Sequence, residues 1–118
     1  MNMEKKILGL IEPVEIAGEK ILAKIDSGAG KSSISLELAS KLRLGPIVKT
    51  VRIISSHGKT TRPVIKVSIK LGGKRFKALF NLTDRKKLKY HILIGQNILM
   101  RGFLIDPNKY EDRDNKPV

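Results

Sequence analysis

The 118-residue chain contains no cysteine, which excludes a disulfide framework and every zinc site built on thiolates. Histidine is nearly as scarce: there are two, His57 and His91, and no H-E-x-x-H pattern sets a pair of them on one helix. No ligand spacing supports a metal, and no other cofactor is expected. Long apolar runs are also missing. The longest near the start, Ile7 to Ile11, stops at Glu12, too short for a secretory segment or a membrane span. The expectation is a soluble, cytoplasmic protein. Acidic residues are outnumbered, 11 against 24 basic, for a formal net charge of +13. Hydrophobic residues make up 41%, enough for a core, and the length suits one domain.

The charge is unevenly spread. Residues 1–26 carry net −1 and residues 27–40 balance, whereas residues 41–109 hold seventeen basic side chains against Asp84 and Asp106, net +15. A block of that sign attracts polyanions, whether nucleic acid, a ribosomal surface or an acidic protein segment. The plainer alternative is a lysine-rich solvated surface.

The periodicity is mostly that of strands. Ile65, Val67, Ile69 and Leu71 alternate with Lys66, Ser68 and Lys70, Gly72-Gly73 supplies a hairpin turn, and Arg75 to Leu82 runs back. Lys6 to Ile11 and Glu19 to Ile25 read as strands, separated by turn residues Pro13 and Gly18. Val51 to Ile54 and Arg62 to Val64 flank a hairpin tip at His57-Gly58, and Phe103 to Ile105 is a last short strand. Helix is expected at Leu36 to Leu42, ahead of Gly45-Pro46, and as a single turn from Ile98 capped by Asn97. Residues 1–110 read as one mainly β domain with one or two short helices. Residues 111–118 read as a charged, frayed tail.

Gly30-Lys31-Ser32 follows a strand and imitates a phosphate-binding loop. The required first glycine is Ile25, and the alternating helices of a nucleotide-binding sheet are absent, so that function is set aside. The same loop is better read from its other end. Ile21 to Ile25 runs into Asp26-Ser27-Gly28-Ala29, which taken alone is an ordinary turn. Further on, Tyr90-His91-Ile-Leu-Ile-Gly95-Gln-Asn97 is an apolar strand ending at a glycine and passing into a helix.

Together, with a hairpin between them, these elements resemble the retropepsin-like aspartic proteases. The similarity runs from about Ile21 to Asp106. It is greatest to the archaeal and bacterial branch labelled ATP-dependent zinc proteases, some associated with an ATP-grasp ligase that adds glutamates to a ribosomal protein. Five ordered blocks carry it: Lys24 to Ala29, Arg62 to Ile65, Leu82 to Arg85, Ile92 to Gly95 and Phe103 to Asp106.

The resemblance implies a closed β-barrel of the acid-protease type and an endopeptidase whose catalytic carboxylate is Asp26. Ser27 would brace the catalytic loop against a partner, and Gly28 and Ala29 would complete it. Gly95 would pack beneath that loop, with Asn97 beside it as a structural residue. The hairpin at His57-Gly58 would be a flap over the substrate, and Gly30, Lys31, Tyr90 and His91 would border the cleft. For His57 an exposed loop position, and for Tyr90 and His91 strand packing, remain open alternatives.

The mechanism needs two aspartates. No other Asp precedes Ser/Thr-Gly: Asp84, Asp106, Asp112 and Asp114 are followed by Arg, Pro, Arg and Asn. An active enzyme would therefore be a two-fold homodimer contributing Asp26 twice. Viral retropepsins place an acidic residue after the catalytic motif and an Arg after the later glycine. Here Gly30 or Lys31 and Gln96 stand there, so the corresponding contact must be built differently. The basic block suggests an acidic, glutamate-rich substrate. The rival reading is a non-catalytic module that holds an acidic tail, RNA or a ribosomal surface.

Overall fold

The computed structural model describes residues 4–56, 58–84 and 89–109. His57, Arg85 to Leu88 and the tail 111–118 lie outside them, so the expectations there concern positions not described. Nine strands and two helices follow in order: β1 (Lys6–Leu8), β2 (Ile11–Ile16), β3 (Glu19–Ile25), β4 (Ser32–Ser35), α1 (Leu36–Lys41), β5 (Ile47–Ser55), β6 (Gly58–Leu71), β7 (Lys74–Thr83), β8 (Ile92–Ile94), α2 (Gln96–Leu99) and β9 (Phe103–Ile105).

Six strands close on themselves. The hydrogen-bonded order is β2-β3-β8-β4-β7-β6, and a bridge from Glu15 to Lys70 joins β6 back to β2. β5 lies outside this ring and, among the described residues, pairs with β6 alone. The barrel is mixed, with β3–β8 and β4–β7 parallel and the other ladders antiparallel. β1 and β9 form a separate parallel pair. Closure removes the unpaired edges that an open sheet would expose.

The alternation seen in the sequence is what fills the barrel. Ile65, Val67, Ile69 and Leu71 are buried together with Ala78 and Phe80 from β7, Ile92 and Ile94 from β8, and Ile98 from α2. Burying each large aliphatic side chain is worth about 1.5–3 kcal/mol, so this interior dominates the fold. Gly72 and Gly73 both take positive φ, 58° and 80°, as the two-residue hairpin between β6 and β7 demands.

Four expectations need correction. Lys6 to Ile11 is not one strand, because the chain breaks at Gly9-Leu10, where Gly9 packs against the Lys109 backbone and donates its N–H to Glu12. Pro13 is not a turn residue but lies inside β2, which meets its second neighbour, β6, only at Glu15. The polar stretch Ser32–Ser35, not anticipated as a strand, is the fully buried β4. Asn97 does not cap the last helix. Gly95 occupies that position and Asn97 lies inside the first turn of α2, with its side chain turned into the protein.

Candidate active site

Asp26 leaves the end of β3 at the point where β8 runs alongside. Its N–H donates to the Ile94 carbonyl at 2.9 Å, which fixes the residue to the barrel wall. The next turn is local: Gly28 N–H donates to Asp26 Oδ1 at 2.9 Å, and Ala29 N–H reaches the Asp26 carbonyl at 3.2 Å. Asp26 is half-buried, and Ser27, Gly28, Gly30 and Lys31 are exposed. Among the described residues the other carboxylate oxygen, Oδ2, takes no hydrogen bond. One oxygen is therefore held by the loop, and the second is open to a water or another carboxylate.

The loop rests on the start of α2. A Cβ on Gly95 would lie 2.7 Å from the Ala29 carbonyl oxygen and against the Lys31 carbonyl, closer than side chains come to backbone, so only glycine permits this approach. Gln96 N–H donates to Ala29 O at 2.8 Å and Asn97 N–H to Gly30 O at 3.3 Å. Gln96 also uses its side chain, with Nε2 donating to Ser27 O at 2.8 Å. Gln96 thus holds the Asp26 loop by a neutral side-chain bond.

Behind the backbone contacts is a buried polar network. Ser32 Oγ accepts from Gly95 N–H at 2.9 Å and donates to Asn97 Oδ1 at 2.7 Å, while Asn97 Nδ2 donates to Leu79 O at 3.1 Å. No described buried side-chain nitrogen or oxygen is left without a partner. Satisfied networks of this kind hold one geometry, since each broken bond strands its partner away from water. The sequence pointed to Gly95 and Asn97 but missed Ser32, and nothing in a lone serine distinguishes a bridging hydroxyl from a surface one.

The other expected site residues are distributed differently. His91 Nδ1 lies 2.6 Å from Ser35 Oγ, the hydroxyl that caps α1 by accepting from Leu38 N–H. His91 is thus tied to the start of α1, at the opposite end of β8 from Ile94. Tyr90 is half-buried, with the Lys89 ammonium 5.6 Å from its ring centre. Gly58, at φ 113°, opens β6 opposite Ser55, where the β5–β6 hairpin turns. Among the described residues no three of His, Cys, Asp and Glu stand close enough to hold a metal ion. No described helix is long and apolar enough to cross a membrane.

A family model for the RimB-like proteins, retropepsin-like aspartic endopeptidases, matches residues 37–116. The chain belongs to the RimB-like family. The match begins after the Asp26 loop, so what this RimB-like chain does with Asp26 has to be argued from the loop itself. No curated protein matches the chain. Solved structures give the same architecture. The crystal structure of the Legionella pneumophila protein Lpg0085, of unknown function (DUF785), is 23% identical with a TM-score of 0.62, over 88% of this chain and 94% of that one. The solution structure of simian foamy virus (mac) protease is 22% identical with a TM-score of 0.61, over 76% of this chain and 91% of the other. At such identities the likeness establishes the retropepsin-like fold.

Proposed function

We propose that this RimB-like chain is an aspartic endopeptidase that works as a two-fold homodimer, with Asp26 supplied once by each protomer. Two carboxylates brought together cannot both ionise, so the pair shares a proton. The ionised one takes a proton from a water lying between them as that water attacks the scissile carbonyl carbon. The protonated one gives its proton to the carbonyl oxygen. The aspartate that took the water proton then passes it to the leaving nitrogen while the other recovers a proton from a gem-diol hydroxyl, and the C–N bond breaks to release the two peptide fragments. Ser27 and Gln96 keep the two loops in register, and the β5–β6 hairpin covers the substrate. The preferred substrate is an acidic, glutamate-rich segment, drawn by the basic block.

The observation that carries this reading is the Asp26 carboxyl itself: one oxygen held by Gly28 N–H, the other open, on a loop braced from beneath by Gly95, Ser32 and Asn97. A module that only bound acidic chains would gain nothing from a carboxylate there. The test is Asp26→Asn on a panel of acidic and neutral peptides. Turnover should disappear while binding of acidic peptides persists. A wild-type protein that binds such peptides and cuts none would make the rival reading, a non-catalytic holder of an acidic tail, RNA or ribosomal surface, the correct one.

A further inference from the structure

The basic block divides in two once the strands are paired. In the β6–β7 ladder, Val64 faces Asn81, Lys66 faces Leu79, Ser68 faces Lys77 and Lys70 faces Arg75. These rows share the outer face of the barrel, because the alternate residues Ile65, Val67, Ile69 and Leu71 point into the core. Lys66, Lys70, Arg75 and Lys77 are all exposed. Among the described residues the single ion pair on this face is Arg75 with Glu15, at 3.7 Å. Lys70 directly opposite Arg75 is a like-charge pair, which costs a sheet stability rather than adding to it.

The row at Val64 and Asn81 ends in a cavity of about 160 Å³. Lys31, Lys49, Arg101, Asn81 and Asn97 line it over an apolar floor, and among the described residues no carboxylate contributes to the wall. Lys31 belongs to the loop that carries Asp26, and Asn97 to the network that braces that loop. Lys31 and Lys49 make no ion pair among the described residues. Cavity and face are therefore continuous, beginning beside the catalytic loop and running along the barrel wall. From the cavity row at Val64 to Lys70 is six residues of strand, about 20 Å at about 3.4 Å each.

We infer that this cavity and the β6–β7 outer face form an exosite holding the acidic flank of the substrate chain beyond the cleft. The inference rests on the endopeptidase reading above and adds to it where the substrate's charge is recognised. An extended peptide rises about 3.3 Å per residue, so about six flanking residues span the face. Their carboxylates meet Lys31 and Lys49 first, then Lys66, Lys77 and Lys70. Continuity with the catalytic loop selects a peptide over RNA as the occupant. Among the described residues the face also carries no aromatic side chain on which bases could stack.

Two fluorogenic peptides with the same scissile segment, one extended by six glutamates, separate the exosite from the cleft. In the wild type the extended peptide should have a KM lower by about tenfold, an advantage that fades with added salt. The triple variant Lys66→Ser, Lys70→Ser, Lys77→Ser should lose that advantage and leave kcat and KM for the short peptide unchanged. Equal KM for the two peptides in the wild type, or an equal change for both in the variant, overturns the exosite. Should neither peptide be cut, the endopeptidase reading fails on its own, and fluorescence anisotropy with a labelled hexaglutamate still decides the exosite. Weaker binding in the triple variant supports it, and unchanged binding overturns it. A single-stranded RNA 12-mer that binds the wild type more tightly than hexaglutamate, through the same lysines, overturns it in favour of a nucleic-acid face.

Discussion

Gly9 and Gly95 make the same kind of contact in two different regions. At each, a Cβ would collide with a backbone carbonyl, that of Lys109 at 2.6 Å for Gly9 and those of Lys31 and Ala29 for Gly95. Their surroundings differ in chemistry. Around Gly95 the polar partners are neutral: the hydroxyl of Ser32, the amide of Asn97 and main-chain groups. Around Gly9 they are charged. The buried Glu12 accepts from Gly9 N–H at 2.6 Å and from Lys109 Nζ at 2.9 Å, and Lys109 also reaches Ile7 O at 2.8 Å. The neutral cluster holds a loop that presents a carboxylate. The charged one ties the segment that follows β9 to the break between β1 and β2.

The sharpest way to break this comparison is to make the same substitution on both sides. Gly95→Ala pushes a methyl group into the underside of the Asp26 loop. It should cost about 3 kcal/mol in urea unfolding and remove turnover from whatever still folds. Gly9→Ala should cost about 1–2 kcal/mol, because the clash falls on the Lys109 carbonyl in the irregular segment after β9, outside the barrel ladders. The folded fraction should keep its kcat. If both variants lose activity in proportion to stability alone, the two regions do not differ as described.

Removing side chains gives smaller effects. Ser32→Ala strands Gly95 N–H and Asn97 Oδ1 together and should cost about 2 kcal/mol, with a kcat that falls beyond the loss of folded protein. Glu12→Gln removes the charge from the pair with Lys109, whose side chain is 32% exposed, and should cost about 1 kcal/mol with kcat unchanged. Gln96→Ala removes only the bond to Ser27 O at the surface. Its stability cost should be below about 0.5 kcal/mol, and a weaker dimer, read by the protein concentration at which activity halves, is the expected signature.

The sequence made some of this visible and hid the rest for physical reasons. Alternation exposed β6 and β7 because one face of each packs the core and the other meets solvent. Asp26-Ser27-Gly28 announced its turn because the aspartate bonds two residues ahead. β4 was hidden because its serines read as a loop, and only pairing with β7 and β8 accounts for their burial. The Glu12–Lys109 pair joins residues 97 positions apart, and no local pattern encodes such a distance. Pro13 looks like a turn residue and sits within a strand, while Gly9 marks a strand break that the apolar run from Ile7 to Ile11 conceals. Asn97 was picked out by type, yet its function is inside the protein and not at a helix end.

The central claim is that two copies of Asp26 form one site, and subunit mixing tests it most directly. Wild-type protein is mixed with increasing amounts of Asp26→Asn protein, allowed to exchange, and assayed for cleavage at constant total protein. If both carboxylates are needed, mixed dimers are inactive and activity falls as the square of the wild-type fraction, to about a quarter in an equal mixture. A linear fall, to about a half, would mean that each chain acts alone and would contradict the account.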